Sequence, residues 1–412
     1  MDRSLSVRAP VSNRTIVSAL LVIVAAVLQA CATPLARAPV PLTLVNDVQV
    51  VGMPAGIRVW GDGGNKAGAA FIAAERNTLR RKYTGVIKGQ PMEAHLLALS
   101  GGADDGAFGA GLLKGWSEHG TRPEFDLVTG ISAGALIAPF AFIGRDYDRQ
   151  LSEIYTVHDS AQIYSAKILS GVLGGPAVAD NGPLASLIAK YVDRRLLARI
   201  AAERAKGRYL LVGTTNFDAQ RPVYWDMGRI AQQGDEAALR LFRKVLLASA
   251  AVPGIFPPVE IDVNIDGRRY QETHVDGGPT RQVFLTPGDF RFADIDKATG
   301  TRVKRHLWVI RNSKLLPEYD IVELKALSIG ERSLGTLTKN QGLGDLLRIY
   351  DKARADNIDF NLASIPMTFN AVRQAPFDGA YMQALYKVGR ELGRNGYAWS
   401  KTLPMPPAGT LR

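Results

Sequence analysis

The sequence predicts an α/β sandwich around a mixed, mostly parallel sheet, on two observations. Short continuous apolar runs, "HLLALS" at 95–100 and "FDLVTG" at 125–130, have the length and composition of strands buried on both faces. Each leads through glycine-containing residues into an apolar segment at helical spacing, so the order is strand, glycine loop, helix, strand, tight turn, helix. Parallel strands joined by a right-handed crossover bring their C-terminal ends to one edge of the sheet, the edge where open α/β sheets bind ligands.

Taken in order, residues 1–30 read as a secretory signal: Arg3, Arg8 and Arg14 precede an apolar run from Ile16 to Leu28. That run is shorter than the roughly 20 apolar residues that span a bilayer. The box Leu28, Gln29, Ala30, Cys31 resembles a bacterial lipoprotein signal, which implies lipid attachment at Cys31, the only thiol in the chain, and a place in the cell envelope. Several acyl chains make such an attachment stable where one does not. Residues 31–45 are a Pro/Ala-rich tether, 46–90 a poorly periodic extension packing on the sheet edge, 91–400 the main domain and 401–412 a tail.

Within the main domain, "GAFGAGLLKGWSEHG" is a helix with Phe108, Leu112, Leu113 and Trp116 on one face and Gly120 as its stop. "ISAGALIAPFAFIG" is a second apolar helix. "RYLLVGTTNFDAQRPVYWDMG" reads as two strands around a turn, and "LRLFRKVLLASAAVPG" as a helix stopped by Pro253 and Gly254. "RRYQETHVDGG" is a strand ending in a turn, and "KRHLWVIRN" a buried strand. After about residue 315 the chain is mainly helical, with "DNIDFNLASIP" adding a strand and "DGAYMQALYKVGRELG" a late amphipathic helix.

Composition narrows the function classes. Five histidines and one cysteine leave no room for a Cys/His metal cluster or a disulfide framework, so no metal and no cofactor is expected. The net charge is +11, and removing residues 1–30 takes away Asp2 and three arginines, leaving +9. A basic surface on an exported, tethered protein suits an anionic membrane surface; no nucleic-acid motif stands out and no nucleic-acid partner is expected.

The chemistry concentrates at the sheet edge. Gly130-Ile131-Ser132-Ala133-Gly134 is a GxSxG pattern between a predicted strand and a predicted helix, the context of a nucleophile elbow: Gly130 and Gly134 relieve crowding while Ser132 is pushed out at a helix N-terminus. A serine needs a base. His306 opens a strand, at the wrong end. His274 lies in a strand on the same face as Asp276 but one pleat below the rim, and Asp276, ending that strand in "VDGG", is better placed than either.

An elbow serine, an upstream glycine-rich loop and a downstream Asp-Gly together resemble the patatin family of lipid acyl hydrolases over roughly residues 90–390, and "ASAAVPGIFPP" at 248–258 is similar to a family segment. The resemblance implies a three-layer α/β/α fold and a metal-independent Ser-Asp dyad without catalytic histidine, at Ser132 and Asp276. It implies hydrolysis of membrane phospholipid or another lipid ester, as a phospholipase A or lysophospholipase. The N–H groups of Gly101, Gly102 and Ala103 would form the oxyanion hole. The loop departs from the family at Ala103, where glycine is usual, and at Asp105, where a basic residue is common. Asp104 and Asp105 are expected to cap the following helix and face away from the reacting carbonyl. A soluble-ester hydrolase or thioesterase with the same dyad is the alternative, and a catalytically silent lipoprotein that binds lipid or protein the rival from another class.

Three other features read as structural. "LIAKYVDRRLLARIAAERAKGR" at 187–208 is one basic amphipathic helix, as consistent with a solvated back as with membrane contact. Tyr381, Met382 and Leu385 look like helix packing, and "GDGGNKAG" at 61–68 a surface loop.

Overall fold

A computed structural model describes residues 37–63, 67–84, 92–157, 165–166, 177, 179–288 and 290–403. The expected signal and Cys31, and the last nine residues of the expected tail, lie outside them. The strands are β1 (Gln49–Val50), β2 (Arg58–Trp60), β3 (Met92–Leu99), β4 (Leu127–Ile131), β5 (Ser165–Ala166), β6 (Ala179–Asp180), β7 (Tyr209–Asn216), β8 (Arg221–Asp226), β9 (Val259–Ile265), β10 (Arg268–Asp276), β11 (Val303–Arg311) and β12 (Asp359–Ser364). The principal helices are α1 (Ala67–Thr84), α2 (Gly106–His119), α3 (Ala133–Ile143), α4 (Asp148–Thr156), α5 (Gly182–Tyr191), α6 (Arg194–Ala205), α7 (Met227–Ala231), α8 (Glu236–Ser249), α9 (Phe292–Thr299), α10 (Ala326–Ala355) and α11 (Gly379–Arg394).

All strands but β5 and β6 form one mixed sheet. Its parallel part runs β7, β4, β3, β11, β12. These are the short apolar runs of the sequence, buried on both faces: Leu97, Leu99, Val128, Leu210, Leu307 and Val309 are inaccessible to solvent. One face is covered by α2 through α6, α8 and α11, the other by α1, α9 and α10, so the sandwich has three layers. An antiparallel flank of β10, β9 and β1 extends the sheet, and β8 with β2 lies along the other side of β7. Among the described residues no helix is long and apolar enough to cross a membrane.

The extension at 46–90 supplies β1, which pairs with β9, β2, which pairs with β8, and α1. The expected single helix over 187–208 is two. It breaks after Tyr191, and Asp193 caps α6 by accepting the Leu196 N–H at 2.8 Å. Its last two arginines are not a solvated face: Arg204 is buried between Glu75 and Asp226, and Arg208 donates to the carbonyls of Phe125 and Phe142. Several glycines of "GAFGAGLLKGW" serve helix packing. A Cβ at Gly111 or Gly115 would run into the carbonyl of Tyr386 or Arg390, so α2 and α11 meet backbone against backbone.

Candidate active site

The elbow forms where β4 meets α3. Ser132 sits between them at φ 54°, ψ −123°, a conformation that costs a side-chain-bearing residue energy and persists only where its surroundings impose it. The last residue of α8 imposes it here: the Ser132 N–H donates to Ser249 Oγ at 3.0 Å, and the Ser249 hydroxyl donates to the Gly213 carbonyl at 2.7 Å. The Ser132 carbonyl takes the N–H groups of Ala135 and Leu136 as the first acceptor of α3. Gly130 and Gly134 face each other and the β3 terminus so closely that a Cβ on either would strike backbone.

Asp276 arrives from the opposite direction. β7 has β8 along one edge over Leu211–Asn216, so β4 and β10 share the other: β4 pairs with Tyr209–Gly213, and β10, antiparallel, with Thr214–Asn216. Ile131 stands opposite Gly213 and Asp276 opposite Thr214, the next residue. The C-terminal ends of β4 and β10 therefore meet head to head, and Ser132 and Asp276 follow from them. Both side chains are nearly enclosed, at 8% and 4% exposure. Asp276 Oδ1 accepts the Gly278 N–H at 2.6 Å, while Oδ2 is buried without a partner of ordinary hydrogen-bond geometry. Burial pushes the carboxyl up to about 6; the neighbouring Ser132 hydroxyl and the Gly278 N–H act against that by favouring the ionised form. The Asp276 N–H donates to the Ala251 carbonyl at 2.9 Å, so the "ASAAVPG" segment holds Ser132 through Ser249 and Asp276 through Ala251.

The antiparallel course of β10 corrects the placement of His274. It stands opposite Asn216, farther out along β7 than Asp276, not a pleat below the rim. Fully buried, its ring bonds Glu272 at 3.1 Å and Thr214 at 2.9 Å, and burial holds its pKa below the ordinary value. His306 lies at the far end of the sheet, bonded to Asp359.

The glycine loop also departs from expectation in part. The Gly101 N–H donates to the Gln282 carbonyl at 2.9 Å, so Gly101 is not an open oxyanion donor; it closes the loop onto the segment after Asp276. The N–H groups of Gly102 and Ala103 have no acceptor among the described residues, and Ala103 adopts φ 51°, the left-handed region where the family's glycine would be unstrained. Ala133 opens α3 and so has no intrahelical acceptor for its N–H either. Asn312, at the end of β11, anchors the loop: its side chain donates to the Ser100 carbonyl at 2.8 Å and accepts the Gly109 N–H at 3.1 Å.

Asp104 and Asp105 do not cap α2 through their side chains. Asp104 accepts the Phe377 N–H at 3.2 Å, Asp105 the Tyr381 hydroxyl at 2.6 Å, and Arg373 spans both carboxylates at 2.8 and 3.0 Å. A cation from a distant loop thus offsets two charges at the root of the glycine loop. Ser132, Ala103 and Ala133 line a narrow apolar cavity of about 50 Å³ whose walls include Leu136, Leu184, Phe256 and Phe377. Met382, expected only to pack between helices, is part of that wall; Leu385 is core as expected. Ser249, Gln282, Asn312 and Arg373 were not singled out by sequence reasoning. Among the described residues no cluster of His, Cys, Asp or Glu is arranged to hold a metal ion.

An α/β sandwich with an elbow serine and a buried carboxylate at one strand junction defines the class to which the comparisons lead. Residues 97–286 match the family model Patatin, described as a patatin-like phospholipase, so that segment is a patatin-like phospholipase domain. No curated protein matches. Among solved structures, VipD from Legionella pneumophila is similar at 11% identity and a TM-score of 0.34, covering 74% of this chain and 67% of its own.

Proposed function

We propose that the chain is a serine hydrolase of carboxylic esters of membrane lipids, a phospholipase A or lysophospholipase, with Ser132 as nucleophile and Asp276 as its base. The meeting of the β4 and β10 ends on one edge of β7, beside an apolar cavity, carries this reading. Ionised Asp276 takes the Ser132 proton as the hydroxyl oxygen attacks the ester carbonyl. The tetrahedral oxyanion is met by the N–H groups of Gly102 and Ala103 from the glycine loop, with Ser132 itself at the N-terminus of α3 favouring the developing charge. The C–O bond to the alcohol breaks as the leaving oxygen takes the proton from Asp276. Water then attacks the acyl-serine as Asp276 takes its proton, and the acyl–Oγ bond breaks as Ser132 Oγ takes that proton back, releasing the acid and restoring the dyad. No step in this dyad chemistry calls for a metal.

The same reading anchors the chain in the bacterial envelope through Cys31. Arg37, six residues on, binds Asp218 at 2.6 Å and Thr273, at the outer end of β7 and β10. A six-residue tether spans at most about 20 Å, which would hold that edge near the membrane. The narrowness of the Ser132 cavity favours a second reading, hydrolysis of short soluble esters or thioesters.

A fluorophosphonate probe is expected to label Ser132 in the wild-type protein and not in Ser132→Ala, and phospholipid vesicles to lose acyl chains only with the wild type. Absent labelling would leave a silent lipid- or protein-binding lipoprotein; hydrolysis of p-nitrophenyl butyrate with untouched vesicles would select the soluble-ester reading. In cells, Cys31→Ala is expected to move the protein from the membrane fraction to the soluble fraction, and unchanged fractionation would remove the anchor.

A further inference from the structure

The first half of α10 stands clear of the molecule. Its second half packs in the core through Leu346, Ile349 and Ala353, and Gly342 lies against the guanidinium of Arg311, the last residue of β11. Gln341, level with that strand end, donates to the carbonyl of Pro279, in the loop after Asp276, at 3.1 Å. Residues 326–340 therefore carry about 20 Å of helix past the sheet edge that bears Ser132.

The projecting half is amphipathic. Leu334 and Leu337 share a face with Gln341, and Arg332 and Lys339 lie on the opposite one. The polar face is occupied: Arg332 donates to the Glu318 carbonyl at 2.7 Å and Lys339 pairs with the Glu318 carboxylate at 3.3 Å, so the segment leaving β11 runs along it. The apolar face is bare, with Leu334 and Leu337 57% and 69% exposed; Tyr319 and Leu324, on the adjoining segment, are each 92% exposed. Apolar side chains grouped in this way mark a surface that another body covers.

The same edge is apolar elsewhere. Phe217 follows the C-terminal end of β7, and Val372, on the segment after β12, is next to the Arg373 that spans Asp104 and Asp105; both are exposed. Exposed apolar groups from three separate strand ends suit a plane better than a groove. The chain also enters at this edge, where Arg37 binds Asp218, the neighbour of Phe217. The six residues from Cys31 to Arg37 reach at most about 20 Å, which matches the length of the projecting helix.

We propose that this edge docks on a phospholipid bilayer, with Tyr319, Leu324, Leu334 and Leu337 entering the boundary between headgroups and acyl chains. The bilayer as partner rests on the lipid-hydrolase and Cys31 readings above, and docking brings lipid to the edge where Ser132 lies. Attachment runs through apolar side chains and needs no anionic headgroup.

Cys31→Ala leaves no thiol in the chain, so an environment-sensitive NBD label reports only an introduced cysteine. Ser132→Ala, added to the same full chain, scores docking apart from hydrolysis. A label at Leu337→Cys is expected to shift its emission to the blue on adding phosphatidylcholine vesicles and to be quenched by bromine on their acyl chains. The shift should persist at high salt, which screens charge attraction but not burial. A label at Asp351→Cys, exposed toward the other end of α10, should stay in water. A label at 337 that stays in water, a shift lost at high salt, or an equal shift at 351 would each overturn the proposal while leaving hydrolysis at Ser132 standing. So would a shift that appears without vesicles and grows with protein concentration, the mark of a second copy on the leucines.

Discussion

In its proposed role Asp276 has opposite consequences for activity and for stability. As the proposed base it would work only when ionised, so turnover should rise with pH through about 6, the value to which burial lifts its carboxyl. For folding the sign is reversed. A carboxyl whose folded pKa lies above its unfolded value contributes stability that is complete below the unfolded value, near 4, and lost as pH rises through about 6. At pH 8 the native state therefore carries a buried charge at a cost of about 2–3 kcal/mol. Asp276→Asn is expected to abolish ester hydrolysis and to stabilise the protein at pH 8 by an amount of that order, with the gain vanishing below about pH 4. Urea denaturation at the two pH values checks it, and a destabilised Asp276→Asn at pH 8 would contradict the burial account.

The elbow depends on elements far from it in the chain. β4 and α3 supply the serine, but α8 supplies the acceptor for its N–H, and the 377–381 segment holds the glycine loop's carboxylates. Ser249→Ala would leave the Ser132 N–H and the Gly213 carbonyl facing each other without the hydroxyl that joins them. The expected cost is about 1–3 kcal/mol in urea denaturation, with a fall in kcat larger than any change in KM, because the serine's position and not substrate binding is disturbed. Ser249→Thr, keeping the hydroxyl, should recover part of both. An alanine variant of wild-type stability and turnover would show that the elbow holds itself.

Across the whole molecule, the parallel half of the sheet builds the rim and the antiparallel half delivers Asp276 to it. The residues before 91 close this sheet: β1 covers β9, β2 covers β8, and Arg37 ties the entering chain to Asp218. A chain starting at residue 91 keeps the whole patatin-like segment but leaves the outer edges of β8 and β9 open for pairing with other chains. It is expected to elute as aggregate in size-exclusion chromatography, whereas a chain starting at residue 37 stays dispersed. A well-behaved monomer from residue 91 would remove the structural role of the extension.

What the sequence alone determined was local. The elbow was legible because Gly130, Ser132 and Gly134 act on one another within a single turn, and the buried strands because their apolar runs are uninterrupted. Asp276 was legible as a strand end. The tertiary structure decided how the parts meet: that β10 approaches Ser132 antiparallel, that the Gly101 N–H goes to Gln282, and that Arg373 answers Asp104 and Asp105. The physical reason is that a backbone N–H or a buried carboxylate must find a partner, and no spacing rule specifies which of hundreds of residues the fold will bring to it.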